Sequence, residues 1–193
     1  MRQPIRVSIT DGKFPATATE IWSFNVSLYS NLLPGYDFYY YLPSATSVGG
    51  VGVYVCNSLP CCIMDEFKMS STIECPVENL WIKVTKGCNK FIIGAVYRHP
   101  GNKINNFIEK LDNIFTHISK SNISCFIAAD VNIDLKKFQN HQETKAYVDN
   151  LILNNFTPAI VMPTRITANS ATIIDHIYYT NGVTVAKVTL WIL

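Results

Sequence analysis

Ile104, Phe107, Ile108, Leu111, Phe115 and Ile118 recur at three- and four-residue intervals, with charged and amide residues between them. That spacing predicts an amphipathic helix between the Pro100-Gly101 break and Ser121-Asn122. A second helix is expected over Gln142–Asn154, burying Tyr147, Val148, Leu151 and Ile152. Leu80-Trp81-Ile82-Lys83-Val84 alternates as a half-buried strand does, and Phe91–Val96 is a continuous apolar run of strand length. The turn residues Lys86-Gly87-Cys88-Asn89 lie between them, so a hairpin is expected. Gly49–Val55 reads as a turn feeding a strand, and Ser124–Ala129 as a buried strand stopping at Asp130. Thr172–Tyr178 and Thr184–Ile192 complete the set of strands. Residues 1–47 show no regular pattern beyond a helix expected near Ala18–Leu33, ended by Pro34-Gly35. Strands alternating with helices point to an α/β (α+β) domain.

Composition narrows this to one globular unit. The 193 residues are 48% apolar and include 10 Phe, 10 Tyr and 3 Trp, enough to build a core and too much for a disordered chain. The longest apolar runs are short pieces such as Cys125–Ala129, far below the roughly 20 residues of a membrane helix. The opening Met1-Arg2-Gln3-Pro4-Ile5-Arg6 has no apolar stretch after its charges, so no secretory signal is read there and an intracellular protein with no membrane partner is expected. A net charge of +2 gives no basic stripe, so a nucleic-acid function must rest on a site rather than on overall charge. The six cysteines form no CxxC pair and the four histidines no zinc spacing; both fit reduced thiols and a protein without structural zinc.

Two strand ends carry candidate chemistry. Phe126-Ile127-Ala128-Ala129 delivers Asp130 and, two residues on, Asn132. If the chain stays extended there, both side chains face one spot. Thr172-Ile173-Ile174 delivers Asp175, with His176 directed to the opposite face and expected to pack or hydrogen-bond there. Carboxylates without thiolates suit Mg²⁺ or Mn²⁺ better than zinc. Taken singly, each residue has a plainer role: a strand-end aspartate caps turns, Glu20 fits a solvated helix, and Tyr97 fits a core aromatic. Nucleophile-elbow, Walker A, dinucleotide-binding and HExxH motifs are absent from the sequence.

In order along the chain stand Thr19-Glu20-Ile21-Trp22, Gly49-Gly50-Val51-Gly52-Val53-Tyr54-Val55, Val96-Tyr97-Arg98-His99-Pro100, Asp130-Val131-Asn132-Ile133-Asp134-Leu135, Pro163-Thr164-Arg165-Ile166-Thr167 and Ile174-Asp175-His176-Ile177. Together they resemble the endonuclease domain of non-LTR (LINE-type) retrotransposons, a branch of the endonuclease/exonuclease/phosphatase superfamily that includes apurinic endonucleases. The resemblance implies a four-layer sandwich, two mixed β-sheets face to face with helices outside, and Mg²⁺- or Mn²⁺-dependent cleavage of DNA. It implies that Glu20, Asp130 and Asp175 serve the metal, and that Tyr97 contacts the scissile phosphate. Asp130 would also position the attacking water, Asn132 would hold the phosphate, and Asp175 would act on the metal or leaving-group side. The implied partners are DNA and a reverse transcriptase encoded downstream, with nicking in the nucleus to prime reverse transcription.

The chain departs from that pattern in places. Ala129 and Val131 stand where the family has Gly and Phe, residues 1–15 show no counterpart of the first strand, and no Ser-Asp-His motif follows the last strand. The expectation is a single incomplete domain over 1–193, a piece of a larger reading frame or a decayed copy, that cleaves DNA poorly by itself. Two other readings stay open: an inactive remnant acting as a binding module, and an abasic-site or phosphate-ester hydrolase of the same superfamily.

Overall fold

The computed structural model describes residues 16–19, 21, 26–43, 49–72, 75–101 and 103–180. Its centre is a six-stranded mixed sheet in the order β4-β5-β6-β7-β11-β8: Cys61–Ile63, Val77–Lys86, Asn89–Arg98, Ser124–Asp130, Asp175–Thr180 and Phe156–Pro158. The hairpin expected from the alternation is β5–β6, longer at both ends than the apolar pattern alone suggests. β6 and β7 run parallel, joined by α2 (Ile104–Ser121), which ends at Asn122 in the left-handed region (φ 53°). Parallel neighbours need such a crossover, and the helix buries Phe107, Leu111, Phe115 and Ile118 on the sheet as its spacing predicts. α3 (Gln142–Leu153) packs beside it, burying Tyr147 and Leu151, whereas Ile152 is exposed.

Against the other face lies a three-stranded sheet, β1 (Ala16–Thr19), β3 (Val51–Cys56) and β2 (Tyr36–Tyr41), in the order β1-β3-β2. Val51, Val53 and Val55 meet Leu80, Ile82, Phe91, Ile93, Ala95 and Tyr97 between the sheets. The outward residues of the small sheet carry the short helix α1 (Val26–Ser30), where Tyr29 stacks on Phe38. The result is an α/β sandwich of four layers, as the resemblance implies.

Three expectations need correction. The helix over Ala18–Leu33 is instead β1 and the five-residue α1: Thr17 and Thr19 are buried while β1 pairs with β3, and Leu28 and Leu32 face solvent rather than a core. The small sheet is antiparallel throughout among the described residues, not mixed. The strand expected from Thr172 begins only at Asp175, because Ala171–Thr172 (β10) folds back on Arg165–Ile166 (β9). The strand expected over Thr184–Ile192 lies outside the described residues.

Candidate active site

The ends of the central strands bring three of the candidate residues, Tyr97, Asp130 and Asp175, into one row. Tyr97 is the register partner of Asp130 across the parallel β6–β7 pair, and Asp130 is the partner of Asp175 across β7–β11. Residues directly opposite each other in a sheet point to the same face, with Cα atoms about 4.5–5.5 Å apart. That face is the one between the sheets: Ala128 and Ile177, two residues from Asp130 and Asp175, share one cluster, while Tyr97 packs with the inter-sheet core. The row therefore sits at the carboxyl ends of the parallel strands, the place where open α/β sheets keep their ligands. Tyr97 and Asp130 are each 3% exposed and Asp175 is half-buried. Ala129 is no obstacle, because its methyl belongs to the helix-side core.

The row continues onto β5, where Glu78 is the partner of Tyr97. Its carboxylate is buried, lies 2.6 Å from His99 Nε2, and accepts a long bond from the Gly50 amide (3.4 Å). Burial raises its pKa, and the bond to His99, the charge of that ring and the Gly50 amide pull it back. The Gly49-Gly50 turn presses on this carboxylate: both residues have positive φ, and a Cβ at Gly49 would stand 2.9 Å from Glu78 Oε2.

No protein-family model and no curated protein matches the sequence. Solved structures do match the fold. The endonuclease domain of TRAS1, a telomere-specific non-LTR retrotransposon, superposes with a TM-score of 0.60 at 10% identity, covering 78% of this chain and 69% of that one. An endonuclease/exonuclease/phosphatase family protein from Bacteroides thetaiotaomicron gives 0.59 at 14% identity, over 86% and 69%. ANGEL2, a 2',3'-cyclic phosphatase, gives 0.59 at 11% identity, over 92% and 73%. The chain has the endonuclease/exonuclease/phosphatase fold.

Within this endonuclease/exonuclease/phosphatase fold, Asn132 does not follow the extended path that would align it with Asp130. β7 ends at Asp130 and Asn132 is left-handed (φ 52°), so the alternation that would align the two side chains no longer applies. A clasp with the end of β6 holds it instead. Asn132 Nδ2 donates to the Arg98 carbonyl (2.8 Å), while Arg98 donates through Nε to the Val131 carbonyl (2.6 Å) and through a terminal nitrogen to the Asn132 carbonyl (3.2 Å). Asn132 also lines a cavity of about 360 Å³ with Lys137, His141, Arg165, Thr167 and Ser170.

The Pro163-Thr164-Arg165 segment supports Asp175. Thr164 Oγ1 accepts from the amides of both Ile174 and Asp175 (3.2 Å each), fixing where β11 begins. Asp134 accepts from Ile173 (3.0 Å) and Lys136 (3.2 Å), tying the turn after β7 to the same segment. Thr164→Val leaves two amides without that acceptor. It should cost about 1–3 kcal/mol of stability in denaturant titrations, and a loss under about 0.5 kcal/mol, the scale of an ordinary surface change, would show that Thr164 does not organise this strand end.

Glu20 lies outside the described residues. Asp130 and Asp175 are two hard-oxygen donors on adjacent strands, which suits Mg²⁺, an ion commonly held by one or two carboxylates together with substrate phosphate. Among the described residues no three His, Cys, Asp or Glu side chains close on one point. His176 faces the helices, as its position beside Asp175 predicts: it is buried with Tyr147 and Tyr178, and takes no part in the row.

Proposed function

We propose that the chain is a divalent-metal-dependent phosphodiesterase that nicks DNA, in the manner of a retrotransposon endonuclease that opens its target for a reverse transcriptase encoded downstream. The observation that carries this reading is the cross-strand pair Asp130–Asp175 with Tyr97 beside it. The likeness to the endonuclease domain of TRAS1 supports it. A hydrolase acting on phosphate esters is the coarser statement, supported also by the likeness to a 2',3'-cyclic phosphatase.

In this reading Asp130 and Asp175, joined by Glu20, hold Mg²⁺ or Mn²⁺. When bound, the cation supplies positive charge that offsets the negative charge growing on the phosphate. Asp130 accepts a hydrogen bond from the attacking water and aligns it opposite the leaving oxygen. Tyr97 donates its hydroxyl to a phosphoryl oxygen. Asn132 uses one Nδ2 proton on the Arg98 carbonyl and offers the other to the phosphate. The cavity that Asn132 lines, with Lys137 and Arg165 against the one carboxylate of Asp134 and with the hydroxyls of Thr144, Thr167, Ser170 and Thr172, suits a substrate that continues as a polyanion past the cleaved bond.

Supercoiled plasmid is the test. Incubated with the chain and Mg²⁺, it should convert slowly to the open circle, and chelation should stop the conversion. No nicking, accompanied by hydrolysis of small phosphate monoesters, would transfer the site to a phosphatase reading.

A further inference from the structure

The row of partners reaches one strand further than the retrotransposon resemblance assigns. Glu78, in β5, sits opposite Tyr97, and His99 follows Tyr97 by two residues, one past the end of β6. The carboxylate and the imidazole meet at 2.6 Å, so His99 is held on the Tyr97 side of the sheet. With the carboxylate ionised, Nε2 is the donor in this pair. The His99 ring lies against the Tyr97 ring with centroids 4.8 Å apart and planes at 69°, an edge-to-face contact. Glu78 is 1% exposed, whereas the His99 side chain is 22% exposed.

Such a pair is a poor way to hold two strands together. Desolvating a carboxylate costs several kcal/mol, and well-packed apolar residues in place of a buried ion pair are often neutral or stabilising. β5 and β6 are in any case paired along ten residues each. What the pair does fix is direction: it sets the plane of one ring, which abuts the next.

We propose that Glu78 and His99 are positioning residues for Tyr97. Glu78 orients His99, and His99 holds the Tyr97 ring so that its hydroxyl meets the scissile phosphate. The inference rests on the phosphodiesterase reading and adds two residues to that site.

The experiment uses the full chain in two measurements. The first follows ring signals of Tyr97 by NMR in protein labelled with ¹³C-tyrosine, with no metal or substrate present. Glu78→Leu and His99→Leu should shift or broaden them, and Glu78→Gln, which keeps a bond to His99, should leave them near the wild-type position. Unchanged Tyr97 signals in Glu78→Leu overturn the inference whatever the activity. The second measures Mg²⁺-dependent plasmid nicking. Glu78→Leu and His99→Leu should each lower kcat by 10- to 100-fold with KM within about threefold, and Glu78→Gln should recover most of the loss. The double variant should be no worse than either single one. In a Tyr97→Phe background, Glu78→Leu should have almost no further effect, since the group it positions is gone. Full additivity there, or a matching loss of thermal stability without rescue by glutamine, would mean that the pair is a structural staple and would overturn the inference. Tyr97 signals that respond in a protein without nicking would instead remove the phosphodiesterase reading, and the inference with it.

Discussion

Replacing Asp130 with asparagine should leave the fold intact while removing both the response to Mg²⁺ and the nicking of DNA. The side chain keeps its shape, so packing at a residue only 3% exposed is preserved. What changes is charge. Asp130 and Asp175 are partners on adjacent strands, and like charges directly opposite each other destabilise a sheet. Against that, the charge of Asp130 supports the buried Arg98 guanidinium, so without metal the variant should melt within a few degrees of the wild type. Mg²⁺ at tenfold its Kd should stabilise the wild type by about 1.4 kcal/mol, a rise of a few degrees for a chain of this size, and should leave the variant unmoved. Nicking should fall on the order of 10³-fold, comparable to the loss of a well-placed electrostatic or acid–base group. Thermal melts with and without Mg²⁺, read beside plasmid conversion, give the answer. Nicking within tenfold of wild type would show that Asp130 is not at the reacting centre.

Mild acid should loosen the fold through His176. Its Nε2 donates to the Ile173 carbonyl (3.0 Å), which leaves Nδ1 to accept from the Tyr178 hydroxyl (2.6 Å), with Tyr147 at 3.4 Å. Burial lowers its pKa from 6.5 to about 4, only partly offset by the backbone carbonyls of Ile173 and Ile133 and the charge of Asp134. The sign follows from where the proton binds. Between pH 6.5 and 4 the unfolded chain takes up a proton that the folded one refuses, so stability is full above pH 6.5 and declines as pH falls toward 4. Over that window the loss is roughly 3 kcal/mol, a large part of an ordinary domain's stability. Glu78, whose pKa burial raises, works in the opposite direction but does so equally in any His176 variant. Urea titrations at pH 7 and pH 4.5 should therefore show the wild type losing about 2 kcal/mol more than His176→Gln. Parallel pH profiles for the two proteins would refute the assignment.

Much of this arrangement was legible in the sequence because its period was unambiguous. The face Phe107-Leu111-Phe115-Ile118 and the apolar runs on either side of Gly87 each had one plausible partner. The small sheet was harder. Tyr36–Tyr41 is nearly all aromatic, a strand signal that the surrounding irregular composition obscured, and Ala16–Thr19 is too short to show a period. The site divides in the same way. Asp130 and Asp175 stood at the ends of readable strands, so their meeting needed only the right pairing. The expected alignment of Asn132 with Asp130 does not hold, since a left-handed residue cannot be read from alternation. Glu78 was missed although a signal existed. The two-residue turn Gly87-Cys88 sets Lys86 opposite Asn89, and counting outward puts a carboxylate opposite Tyr97.

The one parallel strand pair among the described residues also sets an order of assembly. The stretch 77–130 is a hairpin, a crossover helix and a strand, contiguous along the chain, and it carries Glu78, Tyr97 and Asp130. Asp175 arrives only after α3 and the β9–β10 turn-back have been made, and must then pair backwards onto β7. A chain leaving the ribosome exposes its N-terminal side first, while a domain folds as a unit. A nascent chain halted before residue 175 therefore lacks the partner of Asp130. Completion of this row is in effect timed by translation: a half-made or prematurely released copy carries one carboxylate without the other.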